Sequence, residues 1–341
     1  MPLFISSRTS IFRKEVFHLV KYVVKRIILM LLVFFIIISM CFILIRLLPN
    51  VPVQQFGKDM SLVLQRRVRQ GLVDANGNPI PLMSQYWHFI VRTLIGGDWG
   101  VSESLYIGQD CFQIFLSKLP NTMLVNLYSM LLSVPIGMAF GIYAALKKNK
   151  WQDHVISTGV MIFVSVPSYV YAFLVQYFLC FKFRLFPLVM EPGTNYFTWE
   201  MFRSMLPCVI SLALSSIAGF ARYTRAELTE VLTSDYLLLA RTKGLTRAQT
   251  TVRHALRNAM VPIFPMIIGE FVGILGGSLI IESIFVVPGV GPLYVNSITA
   301  LDYNFFLLLS GFYTLVGLLS GIVVDISYGF IDPRIRMGSK K

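Results

Sequence analysis

Residues 234–262 read SDYLLLARTKGLTRAQTTVRHALRNAMVP, a basic, helix-forming stretch flanked on both sides by apolar runs. Ser234 is a residue type that caps helix N-termini, and Asp235 suits the positive end of a first turn. Tyr236 and Ala240 complete that helix. Arg241 and Lys243 fall in its last turn, where cations are favourable, and Gly244 falls where a left-handed residue closes a helix, just ahead of Leu245. Thr246-Arg247-Ala248-Gln249 has the capping-box spacing and opens a second helix. On that helix Val252, Ala255, Leu256 and Ala259 share one face, and Arg253 and Arg257 another. The first helix differs, because Leu237, Leu238 and Leu239 wrap around it. A short water-facing helix that is apolar on several sides predicts a groove in a partner protein. An amphipathic pair lying on lipid headgroups stays open on spacing alone.

The flanks set the class. The chain has 341 residues, 55% hydrophobic and 14% charged, against about 25% charged in a soluble domain. Its mean hydropathy is +0.68. Six apolar runs approach the roughly 20 residues that a spanning helix needs: Ile27–Ile45, Thr122–Leu146, Val155–Phe181, Met205–Phe220, Met260–Ile284 and Phe305–Val324. An all-α polytopic membrane protein with six transmembrane helices is expected. After the first run comes Arg46-Leu47-Leu48-Pro49, with no small-residue cleavage site, so that run reads as a retained anchor.

The short loops orient the chain. Arg8, Arg13, Lys14, Lys21, Lys25 and Arg26 precede the first span; Lys147, Lys148 and Lys150 follow the second; Arg222–Arg257 carries seven basic and three acidic residues; Arg334, Arg336, Lys340 and Lys341 close the chain. With six spans all four groups share one side, which the positive-inside rule makes cytoplasmic. The net charge of +13 then needs no nucleic acid. A helix–turn–helix tethered at both ends to spans could hardly enter a DNA groove, so no nucleic-acid partner is expected. The expected organisation is a cytoplasmic tail at 1–26, a first span at 27–48, an extracytoplasmic loop at 49–118, a five-helix core at 119–331 with a cytoplasmic loop at 223–259, and a tail at 332–341.

The outer loop has a turn at Asp74-Ala75-Asn76-Gly77-Asn78-Pro79 and then an amphipathic pattern from about Ser84 to Ile95. Gly137/Gly141, Gly269/Gly273 and Gly317/Gly321 have the spacing that lets helices approach closely, and Pro135, Pro167 and Pro207 lie inside spans. Catalytic signatures are missing. There is no GxxxxGK[ST], since Gly57-Lys58 lacks the upstream glycine and aspartate follows; there is no HExxH or GxSxG, and His18, His88, His154 and His254 do not cluster. Cys41, Cys111, Cys180 and Cys208 have no CxxC spacing, and only Cys111 falls in a polar loop, so neither a disulfide framework nor a metal site is expected. Of the membrane carboxylates, Glu270 falls mid-span and reads either as a pathway contact, suited to a cationic group, or as a packing residue. Glu282 and Asp325, nearer span ends, read as interfacial or packing residues.

DYLLLARTKGLTRAQTTVRHALRNAMVP resembles the EAA loop of ATP-binding-cassette importer permeases, in the form seen in oligopeptide and dipeptide permeases. QYWHFIVRTLIGGDWGVS (85–102), LPNTMLVNLYSMLLSVPIGMAFGIYAALKKNKWQD (119–153), ESIFVVPGVGPLYVNSI (282–298) and DISYGFIDPRIR (325–336) resemble further segments of that family in the same order. Leu238, Leu239 and Ala240 stand where the general loop has Glu-Ala-Ala before its glycine, so only Ala240 and Gly244 match, a departure at the first two positions that is common in the peptide branch; the insertion near Gly71–Met83 is less typical. The resemblance implies a type I importer permease fold and the first of two paired permeases. It implies as partners a second permease, two ATPase subunits, an extracytoplasmic peptide-binding protein and membrane lipid, in a bacterial cytoplasmic membrane. It implies that Ser234–Leu245 holds a coupling helix docked in an ATPase cleft. No cofactor is expected on this chain, ATP and magnesium belonging to the ATPases. The expected activity is peptide translocation by alternating access. The rival is a self-contained proton-coupled transporter using Glu270, for which no inverted repeat is evident. A membrane-embedded enzyme is a third option, weakened by the missing catalytic constellation.

Overall fold

The computed structural model describes residues 3–48, 60–193 and 195–331. Gly57-Lys58 and the basic tail residues Arg334, Arg336, Lys340 and Lys341 lie outside them. The described residues are helical, with two isolated β-bridges. Among them, five helices contain a segment long and apolar enough to cross a membrane: α1 (Leu3–Leu47), α4 (Cys111–Leu146), α7 (Trp199–Leu232), α10 (Arg257–Gly273, extended back to Arg247 by α9 and a π turn) and α13 (Tyr303–Ile331). A sixth crossing is a broken pair, α5 (Trp151–Ser165) and α6 (Ser168–Val175), the latter continued by a π turn to Lys182. α2 (Met60–Arg69) and α3 (Leu82–Ile90, continued to Ile95) belong to the outer segment; α8 is Asp235–Thr242, α9 Arg247–Thr250, α11 Leu279–Ile284 and α12 Val290–Thr299.

Two spans depart from the expected continuous runs. The third bends by 102° between Ser165 and Ser168. Proline disfavours helical backbone in the residue before it, and Val166 is extended, with ψ 130. Pro135 and Pro207, by contrast, sit inside unbroken helices, so proline alone does not forecast the break. The fifth span stops at Gly273 rather than Ile284. There Gly277 takes φ +61, and a side chain on it would collide with the Glu282 carboxylate and Thr122. The second span is longer than its apolar run, and Cys111, expected in a polar loop, is the fully buried first residue of α4.

α4 and α7 form the centre of the bundle. A Cβ on Gly137 would lie 2.7 Å from that of Phe220, and one on Gly141 2.6 Å from that of Thr224, so this pair of glycines sets the closest helix approach. Gly269 faces Val324 at 3.2 Å, whereas Gly273, Gly317 and Gly321 meet nothing within 4 Å; close packing at the last three is a correction to the spacing argument. α1 runs antiparallel to α13. Ile38, Phe42 and Ile45 pack with Leu307 at one end, and Arg26 pairs with Asp325 at 2.9 Å at the other. The ion pair accounts for Asp325 and puts the start of the first span beside the end of the last.

The outer segment is docked, not loose. Tyr86 bonds Ser39 at 2.6 Å, and Phe89 stacks on Phe42, so the amphipathic helix lies along the end of α1. The Asp302 carboxylate accepts from the Ser102 hydroxyl and from the backbone N–H groups of Ser104 and Leu105, and Asn304 donates to the Val101 carbonyl at 2.8 Å. The expected turn forms around Asp74, whose carboxyl is held below the usual carboxylate range by the backbone N–H of Asn78 and further bonds from Asn78 and Asn76. Burial pushes the Glu103 carboxyl up.

Candidate functional site

At the end of the bundle opposite the outer segment, α7 runs into α8. Leu237 is 1% exposed and packs with Ala145 of α4, Leu228 of α7, and Ala255 and Ala259 of the chain entering α10. Leu238 and Leu239 are 62% and 56% exposed, and Tyr236 is exposed too. Three consecutive leucines cannot share one side of a helix, where successive residues turn by about 100°. The buried one anchors α8 to the bundle, and its neighbours remain as the outward apolar surface. This corrects the expectation that all three face a partner.

Ser234 occupies the N-cap position, yet its hydroxyl donates back to the Val231 carbonyl at 2.6 Å and caps nothing. α8 is aligned instead by Asp235 in its first turn, by Arg241 in its last, and by the Tyr236 hydroxyl, which accepts from Asn258 at 2.9 Å. Ala240 and Leu245 are half-buried, and Arg241, Lys243 and Gly244 are exposed. Gly244 has φ +89, and a methyl group in place of its Hα would meet nothing within 4 Å, so only backbone conformation demands glycine there. The capping box is present in full, Thr246 and Gln249 bonding each other's backbone at 3.3 and 3.0 Å. Val252 is exposed although Ala255 and Ala259 are buried. The π turn at Thr251–Leu256 adds a residue to the turn and rotates Val252 off their face; period-3.6 reasoning does not foresee it.

The same end is braced by Asp153 of α5 and Arg225 of α7. Asp153 is 1% exposed and also accepts from the Asn149 N–H at 3.0 Å and the Ser157 hydroxyl at 3.3 Å. Sequence reasoning does not single it out; its place four residues after Asn149, in a first turn, is the available signal.

Two membrane carboxylates resolve differently. Glu282 is fully buried and accepts from the Thr122 hydroxyl at 2.8 Å, the Ser278 N–H at 3.0 Å, the Gly291 N–H at 3.2 Å and the Asn126 amide at 3.4 Å. It is a packing node that pins the chain between α10 and α12 to α4. Glu270 is half-buried on α10 and accepts from the Ser216 hydroxyl of α7 at 2.7 Å. Its carboxylate is reachable, with one donor in place among the described residues.

Residues 137–337 match the family model described as "Binding-protein-dependent transport system inner membrane component". The chain is 31% identical over 319 residues to the dipeptide transport system permease protein DppB of Lactococcus lactis subsp. cremoris, covering 94% of this chain and 100% of that one. It is 31% identical to the probable peptide ABC transporter permease protein y4tP of Sinorhizobium fredii, covering 92% and 99%. It is 32% identical to the glutathione transport system permease protein GsiC of Shigella flexneri, covering 93% and 99%.

Proposed function

Because the chain belongs to the family of binding-protein-dependent transport system inner membrane components, we propose that it is a permease subunit of an ATP-driven peptide importer. It contributes half of the pathway, with a second homologous permease as the other half. Two ATPase subunits bind ATP and magnesium, and an extracytoplasmic peptide-binding protein delivers the solute. The termini and the 223–259 loop face the cytoplasm. Closure of the ATPases on ATP is passed to the spans through α8, and the pathway opens alternately to the two sides.

The observation that supports this reading most is the split of α8 into a buried anchor and an exposed apolar surface, Leu237 against Leu238 and Leu239. A helix that only lay on lipid would not need its first leucine, Leu237, locked to three other segments of the bundle. With Leu237 held by α4, α7 and the start of α10, any push on the exposed surface moves those helices as well. The peptide class is supported by the names of the relatives. Glu270 serves the pathway as the contact for the positive end of the solute, a role supported by its half-buried carboxylate on α10.

The test is uptake into vesicles containing this chain, its permease partner and both ATPases, with binding protein and ATP supplied. ATP-dependent peptide accumulation is expected. Accumulation by this chain alone, driven by a proton gradient and lost in Glu270→Gln, would overturn the reading in favour of a secondary transporter.

A further inference from the structure

Ser215 lies near the middle of α7, roughly 20 Å by helical rise from both Met201 and Leu228, which mark the two ends of the bundle core. At this depth α6 begins. Its N-cap is Pro167, with no side-chain cap. The first N–H groups of a helix have no acceptor within it and carry a partial positive charge. Beside them sits Tyr171, 5% exposed; its hydroxyl is next to those of Ser168 and Ser215 yet makes a well-formed hydrogen bond to neither. The ring is fixed edge-on to Phe163 at 5.7 Å, so the hydroxyl is held in place. Ser165 and Pro167, at the break, and Ser215 are exposed. Irregular backbone at membrane depth is tolerated where protein or a water-filled cavity covers it, not lipid.

The neighbouring residue on α7, Ser216, donates to Glu270. Consecutive helix residues point about 100° apart, so Ser215 on one side of α7 meets the hydroxyls of α6, and Ser216 on the adjacent side meets the Glu270 carboxylate of α10. This is a dipolar arrangement at mid-membrane, made from α6, α7 and α10.

Resting on the permease reading above, we propose that the break between α5 and α6 is a binding site for the C-terminal carboxylate of the transported peptide, with Glu270 taking its ammonium group. The α6 N-terminus and the Ser168, Tyr171 and Ser215 hydroxyls supply the donors for the carboxylate. Such a site recognises the two charged ends of a short peptide and ignores its side chains.

Uptake by the complete reconstituted complex tests this, using a panel of di- and tripeptides, each as the free acid and as the C-terminal amide. Tyr171→Phe keeps the ring and removes the hydroxyl. A lost hydrogen bond to a charged group should raise the ratio of KM for free acid to KM for amide about tenfold. Ser215→Ala, on the exposed side, should move the ratio the same way and serves if Tyr171→Phe does not fold. Glu270→Gln should instead shift the ratio for free-amine over N-acetylated peptides. Intact uptake with the acid/amide ratio unchanged in either hydroxyl variant overturns the carboxylate site and leaves the permease reading standing. Wild-type complex that accumulates no peptide of the panel removes that reading and this site with it.

Discussion

The Arg225 guanidinium of α7 donates to both oxygens of the Asp153 carboxylate of α5, the Nη2 bond measuring 2.8 Å. The pair ties the first turn of the broken third span to the central helix at the end where α8 attaches. Asp153 is almost fully buried, while the Arg225 side chain is 34% exposed. Removing the carboxylate leaves a cation that can still reach water, so Asp153→Ala should cost roughly 2 kcal/mol, below the loss from a fully buried pair. Arg225→Ala strands a buried anion and should cost more. Thermal unfolding in detergent checks the order; equal, negligible shifts would show that the pair does not brace the fold.

The three leucines of α8 should separate cleanly. Leu237→Ala empties a packed position and should lower stability by about 2–4 kcal/mol. Leu238→Ala and Leu239→Ala should leave the unfolding midpoint alone and reduce the ATPase retained per permease after extraction. ATPase retention at the wild-type level in the Leu238 and Leu239 variants would remove the docking role from this surface.

Gly244→Val introduces a β-branched residue at φ +89 in otherwise open space. The strain of about 1–3 kcal/mol is local and too small to unfold a six-span bundle. The variant should be inserted and expressed, retain less ATPase and lose ATP-driven uptake, whereas Asn76→Val in the outer turn should retain ATPase normally. Wild-type uptake by Gly244→Val would mean that the aim of α8 does not matter.

Glycines of identical spacing should differ in tolerance. Gly141→Leu drives a side chain into Thr224 and the Ala221 carbonyl and should abolish folded yield, since overpacking a tight site already costs about 1–3 kcal/mol for added methylenes. Gly317→Ala and Gly321→Ala, with nothing nearby in this chain, should express as wild type. Fluorescence-detected size exclusion distinguishes them.

Orientation is checked with cysteines at Lys148 and Asn76, both exposed. In intact cells an impermeant thiol reagent should label the second and spare the first. The reverse pattern would invert the positive-inside assignment.

Some of this architecture is written locally, and there the sequence was sufficient. Apolar length established the membrane class, because burying about 20 residues of backbone in lipid requires a helix. The Thr246 capping box, the Gly244 terminus and the Asp74 turn were legible because each is a bond or dihedral settled within four or five residues. Tertiary structure decided what depends on a neighbour distant in the chain. It chose Leu237 over Leu238 and Leu239 for burial, because α4 and α7 present a surface to only one side of α8. It made Gly141 a contact and Gly321 an open position, though both have the same spacing. It broke the helix at Pro167 and not at Pro135 or Pro207, as the α5–α6 bend sets α6 against α7 and α11. And it made Glu282 a buried node and Glu270 an open one: Thr122, Asn126, Ser278 and Gly291 converge on the first carboxylate, and, among the described residues, only Ser216 reaches the second. A linear reading sees two carboxylates in apolar runs; the donors that separate them are supplied by packing.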